Sequence, residues 1–124
     1  MKKIFALCAA VLIAAGVMIY RSTRLPNKFG TFTGAPAVAV AELIARPKDH
    51  LRKTLAIEGV IRNQCTSMGC YFFFFEGNDM LRVDLQEVAM NAPRGMNGHR
   101  ALAEGVLVPF NGGYQLAATA VEFK

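Results

Sequence analysis

The sequence predicts an all-β domain with small helical content, closed into a five-stranded barrel behind a single N-terminal membrane helix. Three observations predict it. After Lys53, apolar and polar residues alternate with the period of two that suits half-buried strands. Asn111-Gly-Gly113 is a strong signal for a tight hairpin. The tripeptide Glu-Gly-Val occurs twice, at Glu58–Val60 and Glu104–Val106, so a glycine falls inside two strands. Glycine there marks a bulge or a sharp bend, and small closed barrels need both. Length and composition agree. The chain has 124 residues, 53% hydrophobic and 19% charged, which is one domain and excludes a chain dominated by disorder or charged tails.

The first element is Ile4 to Tyr20, 17 residues without a charge, spanning roughly 25 Å as a helix. Lys2 and Lys3 precede it; Arg21 and Arg24 follow. It reads either as a cleaved signal peptide, with Ala14 and Gly16 before the cut, or as an uncleaved signal anchor. The apolar run continues through Val17, Met18 and Ile19, which favours the anchor. Cys8 follows Leu7 rather than a small residue, so it reads as apolar filler and not as a lipidation site. Basic residues on the two sides balance and do not set the orientation. The signal-like order places the domain in the periplasm or another extracytoplasmic space, with the protein single-pass in the inner membrane. The net charge of +5 belongs to these flanks. From Leu25 onward there are 10 basic and 9 acidic residues, so the domain is near neutral and no basic groove for nucleic acid is indicated.

Residues 1–24 are thus the anchor or signal peptide, 25–37 a Pro/Gly/Thr-rich linker and 38–124 the barrel domain. Phe29 and Phe32 are apolar exceptions in the linker that could tuck onto the domain. Val38 to Ala45 has helical spacing, with Val38, Leu43 and Ile44 sharing a face and Pro47 ending it. Strands are expected near 54–62, 70–76, 80–85, 99–109 and 114–123, with a turn at Gly77-Asn-Asp79 and an irregular connection from Asn91 to Gly98. Three strands, an irregular connection and two more strands fit the OB barrel. An SH3-like barrel is the rival at this size, and a β-sandwich would need more strands.

Chemistry-bearing residues are few. Cys65 and Cys70, spaced C-x4-C, flank a turn and can oppose each other across paired strands at near-disulfide distance. A hairpin-stapling disulfide is the first reading. The second is copper: two thiolates plus the Met68 thioether suit Cu(I), which would make this a periplasmic copper- or thiol-handling protein. Redox catalysis lacks both C-x-x-C spacing and a thioredoxin βαβ context. No nucleophile–base pair can be named, which argues against an enzyme. His50 and His99 read as surface or turn residues, and Asp79 and Asp84 as turn and solvent-face residues.

Glu58-Gly-Val-Ile, Cys65-Thr-Ser-Met-Gly-Cys-Tyr71, Leu81-Arg-Val83, Pro93 and Glu104-Gly-Val106 together resemble a family of exported bacterial OB-fold domains, tRNA-anticodon-like or of unknown function. The family pattern is a Gly-Val strand, a cysteine, a short spacer and Gly-Cys-Trp, and here Tyr71 stands where Trp is usual. The resemblance spans roughly residues 40–124. It implies the OB fold and an exported domain, and supplies no enzyme activity. A weaker likeness is to the membrane-anchored haem chaperone of cytochrome c maturation, also an anchor followed by a periplasmic OB barrel. Its His-x-x-x-Tyr haem motif has no counterpart before Phe123-Lys124, so haem carriage is not expected.

OB barrels present ligands to their second and third strands and to two loops. Those loops are here Cys65–Cys70 and Phe110–Tyr114. Taking Glu76 as outward puts Phe72 and Phe74 outward too, beside Arg82. Phe72, Phe74, Arg82, Asn111 and Tyr114 are then the expected ligand or partner face, unless the helix or the linker covers it. The expected function is a non-catalytic, membrane-tethered binding or adaptor module without cofactor. Its partners would be the inner membrane and a membrane or periplasmic protein. Single-stranded nucleic acid, stacking on Phe72 and Phe74, is a further alternative that near-neutral charge disfavours.

Overall fold

The computed structural model describes residues 27–66, 70–89 and 92–124. The expected anchor and Met68 lie outside them. Among the described residues, no helix is long and apolar enough to cross a membrane. The described elements are β1 (Lys28–Gly30), α1 (Val40–Ala45), α2 (Pro47–His50), β2 (Thr54–Arg62), β3 (Tyr71–Glu76), β4 (Asp79–Asp84), β5 (Arg100–Phe110) and β6 (Gly113–Phe123). Strands β2, β3, β4, β6 and β5 pair in that order, and β5 returns to β2, closing a ring. Every pairing is antiparallel except β4–β6, which is parallel over Arg82–Asp84 and Gln115–Ala117. This is the strand order of an OB-type barrel.

The five expected strands appear with boundaries shifted by at most one residue. Their local causes are visible. Asn111 (φ 46°) and Gly112 (φ 78°) both take left-handed backbone, as a two-residue turn matching strand twist requires. β2 pairs with β5 over Thr54–Val60 and with β3 over Val60–Arg62, so it must bend near Gly59. A methyl group at Gly59 would meet Phe74 Cδ1 at 2.9 Å, so only glycine lets the strand pass over that ring. β5 carries a bulge against β6 between Glu104 and Gly105.

Two expectations need correction. The stretch 25–37, read as a linker, contributes β1, which pairs with β6 through Lys28, Phe29 and Gly30. Three residues carry no readable alternation, and the pairing is made with the far end of the chain. Phe29 then stacks edge-on against Phe123, with centroids 6.1 Å apart. Pro47 ends α1 as expected, but it also opens α2, at the position where a missing N–H is harmless. Val40 and Leu43 of α1 are buried in the barrel, whereas Ile44 is 40% exposed. Helical spacing therefore assigned Ile44 to the wrong face. The core fills the ring with Leu55, Ile57, Phe72, Val83, Leu107 and Leu116, all at most 2% exposed.

Candidate functional site

β4 and β6 run side by side from Arg82 and Gln115 onward, but diverge before those residues. The divergence opens a cleft of about 570 Å³. One wall is Met80, Leu81 and Arg82 of β4, with Phe73 of β3. The opposite wall is the β5–β6 hairpin, with Phe110, Asn111, Gly113 and Tyr114. Leu43, Ile44 and Pro47 complete the lining from α1 and the start of α2. The walls are mostly apolar, and Met80 is 50% exposed at the mouth.

Arg82 is the charged group in the lining. Its guanidinium carbon lies 4.3 Å from the centroid of Tyr71 and 4.4 Å from that of Phe110. Tyr71 comes from β3, on one flank of β4, and Phe110 from the hairpin on the other. Two cation–π contacts therefore fix the side chain in place of an acid. Among the described residues, no carboxylate lies within ion-pair distance of Arg82, and its Nε is buried without a hydrogen-bond partner. Gln115, paired with Arg82 across β4–β6, also has its Oε1 buried and unmatched. Unmatched buried polar atoms are costly, and each calls for a partner such as an ordered water or a ligand.

Of the expected face, Arg82, Asn111 and Tyr114 meet at this cleft. Phe72 and Phe74 do not: both are 0% exposed, in the core, and 4.9 Å apart centroid to centroid. The parity between Glu76, Phe72 and Phe74 holds, but their shared face is the inner one. Glu76 escapes burial because it lies at the strand end beyond the barrel rim, where its Oε2 accepts from the Ala41 N–H of α1 at 3.2 Å. Tyr71, Phe73 and Phe75 are the outward, half-buried members of the run. Sequence reasoning missed Tyr71, Phe73 and Met80 as site residues, and placed Phe110 only as the start of a ligand-presenting loop. Four consecutive phenylalanines carry no alternation, so a single charged neighbour decided the face wrongly.

The Cys65 and Cys70 side chains do meet. The Cys70 thiol donates to Cys65 Sγ at 2.9 Å, sulfur contact rather than the roughly 2.05 Å of a bond. The Cys65 N–H donates to the Tyr71 carbonyl at 2.9 Å, and the Leu85 N–H to the Cys70 carbonyl at 2.8 Å, so backbone bonds hold the pair in register. The hydrogen bond to Cys65, with burial, raises the Cys70 thiol above its ordinary value. A thiol so raised is a poor nucleophile at neutral pH. Among the described residues, no group of three or more His, Cys, Asp or Glu converges as a metal site. His50 Nε2 sits 3.5 Å from Glu42, and His99 Nδ1 sits 3.2 Å from the Lys124 carbonyl. Asp79 and Asp84 end β4.

Two buried polar side chains organise the loops around the barrel, and neither was foreseen. Gln64 holds the β4–β5 connection: its Nε2 donates to the Pro93 carbonyl at 2.7 Å, and its Oε1 accepts from Met96 N at 2.8 Å. Glu104, 1% exposed, accepts from the Thr33 hydroxyl at 2.5 Å, Thr33 N at 2.9 Å and Ala35 N at 3.3 Å. The Thr33 hydroxyl first, then these backbone donors, lower its carboxyl below the ordinary value against the cost of burial.

No family model matches the chain, and no curated protein matches it. Among solved structures, it is similar to one described as an aspartyl-tRNA synthetase from Leishmania major Friedlin. The TM-score is 0.53 at 14% identity, over 89% of this chain. The match spans 25% of that protein, so the chain covers about a quarter of its length. At this identity the likeness bears on fold alone, and it supports the OB-type reading of the strand order.

Proposed function

We propose that this chain is a non-catalytic OB-fold binding module, held at the inner membrane by Ile4–Tyr20 with its barrel outside the cytoplasm. The observation that carries the binding role is the β4–β6 cleft, with an arginine seated between two rings and matched by no acid. The cleft lies on the strands and hairpin where barrels of this topology take ligands. The tether and export rest on the signal-like order of basic start, apolar run and small residues in the sequence. In an oxidising compartment Cys65 and Cys70 form a disulfide that staples the β2–β3 connection beside Tyr71, the ring under Arg82. The two sulfurs lie 2.9 Å apart, near enough for oxidation to join them, though not at bond distance.

The binding role is tested by placing a photo-crosslinking residue at Met80 in the full chain in cells, with a control at Asp84. Adducts from Met80 that disappear on Arg82→Ala support the reading. Equal labelling from both positions, or none from Met80, removes it. Fractionation with N-terminal sequencing tests the tether: a soluble species beginning near Val17 shows cleavage instead. Thiol labelling of unreduced, exported protein tests the staple. Labels on both Cys65 and Cys70, located by peptide mapping so that Cys8 is counted apart, would refute it and favour the copper reading, in which Cu(I) binding is lost on Cys65→Ser.

A further inference from the structure

We propose that the cleft receives an extended segment of a partner protein, lying along the open edge of β4, with a carboxylate side chain held by the edge of the Arg82 guanidinium. This rests on the cleft being the binding site and names what it binds.

Three observations select that occupant. First, Tyr71 and Phe110 stand on the two sides of β4 with ring centroids 4.3 and 4.4 Å from the guanidinium carbon, and no carboxylate among the described residues lies within ion-pair distance of it. A guanidinium matches the two oxygens of a carboxylate in one plane. The same contacts occupy the rings that a nucleobase would stack on. Second, only Arg82–Asp84 of β4 pair with β6, so Asp79–Leu81 have a strand partner on the β3 side alone. A polypeptide can pair with such an edge, and nucleic acid cannot. Leu43, Ile44, Pro47 and Met80 stand beside that edge and offer apolar contact to alternate side chains of the added strand.

Third, the rim has the complementary charge. The segment 46–53 carries exposed Arg46, Lys48, Arg52 and Lys53 against a single acid, Asp49. It is pinned beside the hairpin: Arg52 N–H donates to the Leu107 carbonyl at 2.9 Å, and Leu51 bridges Leu107. Pro47 lines the cleft and Leu51 lines the adjoining hollow against the same hairpin. Outside that segment, the domain from Leu25 onward carries six basic and eight acidic residues. A local basic rim on a near-neutral barrel suits a short acidic segment better than a long phosphate backbone, which needs a basic track along the whole path.

The probe is a short fluorescent peptide alternating aspartate with valine, titrated against the purified protein by anisotropy. Its asparagine counterpart, an oligothymidine strand and vesicles rich in an anionic lipid form the other arms. The aspartate peptide is expected to bind, and the asparagine peptide to bind about tenfold or more weakly, as loss of a charge-assisted pair implies. Arg82→Ala should abolish the difference between the two peptides. Arg82→Lys keeps the charge but not the fork and should recover only part of it. Arg52→Glu should weaken aspartate binding and flatten its salt dependence. Thermal melts of each variant separate lost binding from lost folding; should Arg82→Ala fail to fold, Arg82→Lys and Arg52→Glu carry the test. Binding of oligothymidine or of vesicles in preference to the aspartate peptide overturns the proposal, as does equal affinity for the aspartate and asparagine peptides or no peptide binding. Continued Met80 crosslinking in cells would then leave the binding role standing with another ligand.

Discussion

The same tripeptide, Glu-Gly-Val, sits in β2 and in β5, and the two copies have opposite fates. Glu58 is exposed, and its carboxylate meets Arg100 at 3.7 Å and Lys124 at 3.3 Å. Glu104 is 1% exposed and accepts hydrogen bonds from three donors of Thr33 and Ala35. Both glutamates point out of the barrel. The difference is the strap between β1 and α1, which crosses β5 at Glu104 and then runs beside β2 at Ala56, through Val38 N–H to the Ala56 carbonyl at 2.9 Å. Burial here is set by what lies over a strand, not by the strand's own residues. The glycines differ likewise. Gly59 passes over a side chain, Phe74, whereas Gly105 sits against the backbone of β6.

The harshest way to break the β5 copy is Gly105→Ala. The new methyl group would fall 2.2 Å from the Ala117 carbonyl oxygen and 2.8 Å from Ala118 Cα, both backbone atoms. Neither can swing aside, so the β5–β6 bulge must shift. A loss of about 3 kcal/mol is expected, read from chemical denaturation. A value near zero would show that the bulge is not tightly packed.

Glu104→Ala comes next, at about 2 kcal/mol, because it strips a charged acceptor from the strap's donors. Glu104→Gln sharpens the comparison through pH. The carboxyl's folded value is depressed, so the stabilisation from its ionised form is present above the unfolded value, about 4.3, and fades as pH falls through the lower folded value. The native chain should therefore lose stability below about pH 4.3 by an increment that Glu104→Gln lacks. Identical acid profiles for the two would show that Glu104 does not hold the strap as an anion.

Gly59→Ala follows. Its methyl group would come 2.9 to 3.2 Å from Phe74 ring and Cβ atoms. Phe74 is fully buried and cannot rotate away, but part of the loss is returned because alanine is less free than glycine in the unfolded chain. The expected cost is about 1 kcal/mol, less than at Gly105. A cost above that of Gly105→Ala would reverse the ranking of side-chain over backbone contact.

These contrasts also show how much of the molecule could be read from residues alone. Alternation in Leu81-Arg-Val83 and the Asn-Gly turn located the strands, because both are local. Arg82, Asn111 and Tyr114 were legible as site residues since strand order and hairpin position place them on one side of the barrel. Three things were not legible. The face of Phe72–Phe75 is ambiguous in a run without polar members, so the site's ring had to be found as Tyr71 rather than Phe72. β1 is three residues paired with a strand some ninety positions on, a contact no local pattern carries. The roles of Glu104 and Gln64 depend on loops that fold over them. Two identical tripeptides are the clearest case, since nothing within them distinguishes a surface ion pair from a buried anchor.

The smallest effect tests the other half of that pair. Glu58 bridges Lys124 and Arg100, whose side chains are 44% and 57% exposed, as is 44% of its own. Such pairs sit in water, are screened by salt, and cost side-chain freedom to hold in place. Glu58→Ala should change stability by no more than about 0.5 kcal/mol, with the difference vanishing in high salt. The salt response is the discriminating measurement. Glu104 is shielded beneath the strap, so its loss should cost nearly the same at low and high salt. A Glu58 effect as large and as salt-independent as that of Glu104 would mean that coverage by the strap does not decide the fate of the repeated tripeptide.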